Sequence, residues 1–298
     1  MLTAEQRELR RKHLGSSDAA AALGLSPWKS PKELWLEKTG QLADKDLAGR
    51  LSVEMGNRFE RPILEAAIER LNLTPMYDQM RVHRGGVLAA NFDALAFEGG
   101  DEDAPLMPVE AKFADSPERW GPASDGLDGV PQEYAAQCVE QIAVAGATRS
   151  FLAVYFAGKG RELRIYEIAP SAEIVAGLER TLTDWWQRHV VGMVPPEQAE
   201  PCDLETLARV IRKPGKVAEI DAGLVHDWRA AAEVAKNAQA EADARKARLI
   251  EALGDAESGA EGGVELVTYR EQTRNAYMVS ESSFRVLRAT KAGKGGAA

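Results

Sequence analysis

Two cysteines, Cys138 and Cys202, are all the thiol chemistry that the 298 residues contain. Two thiols cannot build a disulfide framework, a four-cysteine zinc site or an iron–sulfur cluster. Histidine is nearly as scarce, and His13, His83, His189 and His226 are too scattered for a metal-ligand spacing. No apolar run approaches the roughly 20 residues that span a bilayer, so no membrane segment is expected. The opening MLTAEQRELRRKHLGSSD is too polar for a secretory signal, and the expected location is the cytosol of a host cell. Positive charge is not in excess either. With 37 Lys and Arg against 46 Asp and Glu, the net charge is −9. That argues against a protein that coats nucleic acid by charge alone, but not against an enzyme whose basic residues are confined to one groove.

What is present is a sequence of ordinary globular composition, 45% apolar and 28% charged, long enough for one large domain or a domain plus an appendage. Residues 5–13 read as a short basic helix. GSSDAAAALG reads as a capped, alanine-rich helix stopped by Gly24. Ser30-Pro31-Lys32-Glu33 is a capping box with proline at the first helical position, and Gly40 ends that helix. A third helix is expected over roughly Asn57 to Leu73. Short apolar or alternating runs at 80–83, 87–97, 106–113, 150–157 and 162–168 read as strands. Between the third and fourth of these, a helix opens at Pro131 and closes at Gly146. Another follows from about Ser171 to Val191. The order predicts an α/β fold, a mixed central sheet flanked by helices. VGMVPPEQAEPCD reads as a boundary, dividing a domain at 1–200 from an appendage at 201–298. The appendage is expected to hold a long helix over 219–253, broken by GDAESGAEGG, then two strands in VELVTYREQTRNAYMV and SFRVLRATK. Trp28 and Trp35, in SPWKSPKELWLEKTG, are expected in the core.

The chemistry concentrates in NFDALAFEGGDEDAPLMPVEAKF, residues 91–113. Strand side chains alternate faces, so Glu110 and Lys112 share one face and Val109, Ala111 and Phe113 the other. The same parity sets Asp93 with Asn91, opposite Phe92. If the two runs pair as a hairpin, Asp93 and Glu110 converge, and close carboxylates repel unless a cation lies between them or one takes up a proton. A hard divalent ion with oxygen ligands, Mg²⁺ or Mn²⁺, suits such a pair, with Lys112 aimed at an attacking water or a substrate phosphate. The plainer alternative is two solvent-facing acids, one of them paired with Lys112.

Four other segments bear on the choice. Glu60 either reaches the same metal or is merely a favourable acid in a helix's first turn. Tyr134, Gln137 and Gln141 share a helix face, and a half-buried glutamine needs a partner: a metal-bound water, a phosphate or a backbone group. Arg10, Arg11 and Lys12 precede a Gly-Ser-Ser helix start, which favours an anion or is a solvated basic turn. Asp101, Glu102 and Asp103 offer a further acid.

Taken in order, RRKHLGSSDAAAALGLSPWKSPKELWLEKTG, GNRFERPILE, NFDA, VEAK and VPQEYAAQCVEQIAV resemble the phage-type exonuclease family of lambda exonuclease and the YqaJ viral recombinases, over about residues 7–195. The resemblance implies the restriction-endonuclease-like PD-(D/E)xK fold and degradation of one strand of linear double-stranded DNA from its 5′ end. It implies that Asp93 and Glu110 bind the metal, that Lys112 positions the attacking water and that Gln137 touches this site. Glu60 matches an acid near a second metal. Arg10 and Ser17, with Arg11 beside them, fall where the family contacts the 5′-terminal phosphate. Double-stranded DNA ends, a single-strand annealing protein and further copies of the chain, as a trimeric ring, are the implied partners. The sequence departs from the family's Pro-Asp-Gly in having Phe92-Asp93-Ala94. Alternatives are another nuclease of this fold, an endonuclease or a CRISPR-adaptation type, and a catalytically idle module that binds DNA ends.

Overall fold

The computed structural model describes residues 10–43, 45, 49–83, 85–99, 104–158, 160–197 and 200–273. The chain divides into two units between Arg212 and Lys213, rather than at 200/201. The reason is local. A short helix at Leu204–Arg209 is followed by a bridge from Val210 to Leu42, and the Ile211 N–H donates to Gln41 O at 2.8 Å. These contacts tie residues 204–211 to the first unit.

In the first unit, β1 (Leu14–Gly15) leads into helix α1 (Ser16–Ala22), and α2 spans Pro31–Lys38. Ser30 Oγ accepts the Glu33 N–H at 3.1 Å, with Pro31 at the first position, while the Glu33 carboxylate that would complete a capping box pairs with Arg209 at 3.2 Å. Helix α3 (Leu51–Leu71) starts six residues before the expected Asn57, and Gly56 and Pro62 both lie inside it. Glu60 therefore sits in mid-helix, which removes the first-turn reading of that acid. Asn72, left-handed at φ 52°, ends the helix.

Strands β2 (Leu73–Val82), β3 (Leu88–Glu98), β4 (Met107–Ala114), β5 (Ser150–Phe156) and β6 (Glu162–Ile168) complete a six-stranded sheet. β2 is ten residues long, well beyond the expected 80–83. β4 and β5 are parallel, while β2 with β3, β3 with β4 and β5 with β6 are antiparallel. Along its other edge β3 meets two strands in turn: β1 in parallel, Leu14 opposite Leu88, and then β4 over Ala94–Ala96. Helix α4 (Gln132–Ala145) lies between β4 and β5 in sequence, starting after Pro131 and ending at left-handed Gly146. Helix α5 (Ala172–Trp185) runs on as a π-helical turn at Trp186–Val191. The architecture is the mixed α/β sheet flanked by helices that the sequence predicts.

The two sheet faces have different company. Ala94, Ala96, Val109, Ala111 and Ala153 pack against Ile63, Leu64, Ala67 and Ile68 of α3. Small side chains on the sheet let that helix approach closely. On the other face, Leu152 and Val154 pack with Cys138 and Ile142 of α4. Glu110 and Lys112 belong to this second face by strand parity.

Of the second unit, the described elements are helix α6 (Ala222–Leu253) and a hairpin of β7 (Ser258–Glu261) and β8 (Val264–Thr268). No side chain of the Ala222–Leu253 helix is buried. The segment read as a breaker supplies β7, because Gly262 and Gly263 both take positive φ and form a two-residue hairpin turn. SFRVLRATK and residues 101–103 lie outside the described residues.

Candidate active site

β3 and β4 bring the two acids together. Ala94 opposes Val109, so the next rung sets Asp93 against Glu110. At that rung Asp93 Oδ2 accepts the backbone N–H of Ala111 at 2.9 Å. Glu110 is only 3% exposed, so the solvent-facing alternative fails.

A buried carboxylate needs donors, and Glu110 has three. Lys112 Nζ and Gln137 Nε2 both reach Oε1, the latter at 2.6 Å, while Gln141 Nε2 reaches Oε2 at 2.6 Å. The two glutamines are one helical turn apart on α4, which is why they meet one carboxylate. The structure gives the glutamines a partner outside the three that the sequence left open, the Glu110 carboxylate. Among the described residues, Gln141 Oε1 stays buried with no hydrogen-bond partner, as does Asn91 Oδ1 on the Asp93 face.

Burial, then the negative charge of Glu110, raise the Asp93 carboxyl well above the ordinary aspartate value; Lys112 and the Ala111 N–H oppose this less strongly. Glu60 adds to the same rise through its charge, so the α3 acid acts electrostatically on the pair. Burial works against the Lys112 ammonium, yet Glu110 and Asp93 hold its pKa above the usual lysine range. Lys112 is thus a charged donor and not a resting base. Its ammonium also lies 5.7 Å from the centre of the Tyr134 ring.

Among the described residues, no three His, Cys, Asp or Glu side chains cluster on one metal position. The pair Asp93 and Glu110 nevertheless fits a hard divalent cation. Its donors are all oxygen, and the like-charge repulsion that raises Asp93 is what a cation relieves.

The N-terminal candidates also meet. Arg10 Nη2 donates to Ser17 Oγ at 2.9 Å, with Ser17 exposed in the first turn of α1. That helix has seven residues, so the two side chains, and not the helix end, carry any anion reading. Arg11 is exposed next to them.

Sequence reasoning missed the support beneath this turn. Asp18 is buried, and Lys38 Nζ lies 2.6 Å from its Oδ2. The same ammonium donates to the backbone oxygens of Arg10 and His13, the latter at 2.8 Å. The signal was present as an acid inside an alanine run and a lysine before Thr-Gly, but nothing local links them. Trp35 is buried as expected, whereas Trp28 is 63% exposed, a correction of its placement in the core. Trp28 follows Pro27 in a turn that aims its ring outward.

Residues 6–148 match the model of the YqaJ-like viral recombinase domain. A curated relative, the uncharacterized protein YqaJ of Bacillus subtilis (strain 168), is 64% identical over 33 residues, which is 11% of this chain and 10% of that protein. The chain thus matches about a tenth of that relative's length. An alkaline exonuclease from Laribacter hongkongensis aligns with a TM-score of 0.47 at 15% identity, over 64% of this chain and 94% of its own. A phage related exonuclease from Haemophilus somnus 129PT aligns with a TM-score of 0.43 at 10% identity, over 63% and 100%. The matched stretch holds Glu60, Asp93, Glu110, Lys112 and Gln137. Among the described residues, no helix is long and apolar enough to cross a membrane.

Proposed function

We propose that the protein is a divalent-metal-dependent exonuclease that digests one strand of linear double-stranded DNA from the 5′ end. The observation that carries this reading is Glu110, buried opposite Asp93 and held by Lys112, Gln137 and Gln141. Asp93 and Glu110 would hold Mg²⁺, or Mn²⁺ in its place, with Glu60 adding negative charge from α3. Such an ion, when bound, polarises the phosphate and lowers the pKa of water. Gln137 and Gln141 fix the Glu110 carboxylate so that both its oxygens keep one direction. Lys112, charged at rest, orients the attacking water and offsets charge on the phosphate.

Arg10 and Ser17 form the seat for the 5′-terminal phosphate, with Arg11 at its margin. This seat sets which bond breaks. Each round must leave a new 5′-phosphate for the next, so water attacks phosphorus and the P–O3′ bond is the one cleaved. The remaining 3′ overhang is the substrate of a single-strand annealing protein. A ring of copies, a trimer, would keep the enzyme on its DNA.

The test uses linear duplex labelled at one 5′ end, with and without the 5′-phosphate, in Mg²⁺ and in chelator. Mononucleotide release from the phosphorylated end, lost in Glu110→Ala and Lys112→Ala, is the expected result. End binding with no hydrolysis in Mg²⁺ or Mn²⁺ would leave only an idle end-binding module.

A further inference from the structure

Trp28 differs from the other described tryptophans of the helical layer. Trp35, Trp185 and Trp186 are buried, and the Trp35 indole N–H donates to His189 O at 2.8 Å. Trp28 stands in solvent on a loop that is pinned. Ser26 Oγ accepts the backbone N–H groups of Trp28 and Lys29, both at 3.2 Å, and the Leu25 N–H donates to Ala20 O at 2.8 Å. Lys29 is tied at 2.6 Å to Glu37. Pro27 and Pro31 restrict the chain on either side. A large apolar ring held rigidly in water contributes little to folding, and such exposure marks a contact surface.

The ring's neighbours indicate what it contacts. Its centroid is 5.9 Å from that of Tyr134, inclined at 48°, and Tyr134 stacks on Trp120 at 5.1 Å and 17°. Tyr134 is also the ring beside the Lys112 ammonium, and it shares α4 with Gln137 and Gln141. One aromatic ring therefore separates Trp28 from the lysine of the hydrolytic site. Beside it opens a recess of about 330 Å³, bordered by Trp28, Ser26 and Lys29. Trp28 and Lys112 thus flank the same Tyr134 ring, which puts the indole within reach of a base on a strand whose phosphodiester meets Lys112.

We propose that Trp28 is a base-stacking subsite, its indole backed by Tyr134 and occupied by the nucleobase of one nucleotide close to the bond being cut. The proposal rests on the nuclease reading and names how that site grips its strand. Every base has a π face, so stacking tolerates any sequence. It also needs no positive charge, which suits a chain of net charge −9.

The experiment uses the full chain and 5′-phosphorylated duplexes carrying one abasic nucleotide at each of the first few positions in turn. KM and kcat are measured in Mg²⁺, and binding of the same fluorescent DNA is measured in chelator, for wild type, Trp28→Ala and Trp28→Phe. In wild type, one abasic position weakens binding and raises KM by roughly 5- to 100-fold. Trp28→Ala shows the same penalty with intact DNA and none further at that position, Trp28→Phe keeps most of the affinity, and kcat changes little. Equal sensitivity to abasic position in wild type and Trp28→Ala would overturn the subsite. So would a smaller oligomer for Trp28→Ala on size exclusion, which would assign the ring to a contact between copies. Absence of hydrolysis with the position-dependent binding loss intact would sink the nuclease reading and leave the stacking subsite standing.

Discussion

The Asp93 carboxylate accepts the Ala111 backbone N–H at 2.9 Å, where β3 and β4 cease to pair. It stands in for a backbone acceptor at that rung, so one side chain serves both the sheet and the site. Asp93→Asn keeps an oxygen for this bond and removes the repulsion with Glu110. Stability to urea at neutral pH should stay equal or rise, while hydrolysis falls at least about 100-fold, the scale of losing one preorganised electrostatic group. Asp93→Ala should lose the activity and about 1–3 kcal/mol of stability as well, because the Ala111 N–H is left without its partner. Near-normal turnover by the Asn variant would remove Asp93 from the chemistry.

The two glutamines should separate in their effects. Gln141 is fully buried, so Gln141→Leu strands a carboxylate oxygen and costs about 1–3 kcal/mol, read from denaturant unfolding. Gln137 is partly exposed, and Gln137→Ala should cut kcat by about 10- to 100-fold, the usual loss when a supporting hydrogen bond to a metal ligand is removed. Equal, small effects from both would mean that Glu110 is positioned by Lys112 alone.

Asp18 and Lys38 form an ion pair with both side chains 5% exposed. Lys38→Met should cost about 3–5 kcal/mol by leaving a buried carboxylate unpaired, and adding Asp18→Asn should restore part of that. Burial alone would raise the Asp18 carboxyl, but Lys38, Lys29 and Arg10 reverse this and hold it well below the ordinary 3.8. A depressed folded-state pKa contributes stability that is complete above the unfolded value and is lost as pH falls below it. Wild type should therefore lose stability steeply below about pH 4, and Asp18→Asn less so.

Glu140 points the opposite way. It is fully buried, and neither carboxylate oxygen has a hydrogen-bond partner among the described residues. Burial first, and then Asp18, raise its carboxyl well above the ordinary 4.5, against a smaller pull from Lys38. The folded state then holds a proton that the unfolded chain releases, so this group costs stability as pH rises past about 4.5. Glu140→Gln should match wild type near pH 4 and melt higher at pH 8, by about 2–4 °C per kcal/mol. A gain that does not vary with pH would rule this out.

Periodicity carried the legible part of the fold. The helix from Pro131 to Gly146 follows from its terminators, and the common face of Asp93, Glu110 and Lys112 follows from strand alternation alone. The pairing of Arg10 with Ser17 came from the family resemblance and not from periodicity, and the two side chains do meet. What stayed hidden depends on pairing between distant segments. Nothing in Leu14 and Leu88 signals a two-residue parallel contact, and Asp18 and Lys38 each look like an ordinary helix-end charge. Trp28 misled for a related reason: a tryptophan between two prolines resembles a buried one until the turn's direction is known. Gly56 hid the first turns of α3 because glycine favours a break, yet the helix runs through it, held by the packing of Ile63, Leu64 and Ala67 on the sheet.

β3 pairs along its whole length with β2 and gives its second edge first to β1 and then to β4. Its amides are therefore shut in by three neighbours and should exchange with deuterium later than those of β6, which among the described strands pairs only with β5. The strand that carries Asp93 is thus among the last to open. Partial melting at the rim of the sheet leaves the acid pair assembled, and thermal loss of activity should track global unfolding instead of an earlier local transition.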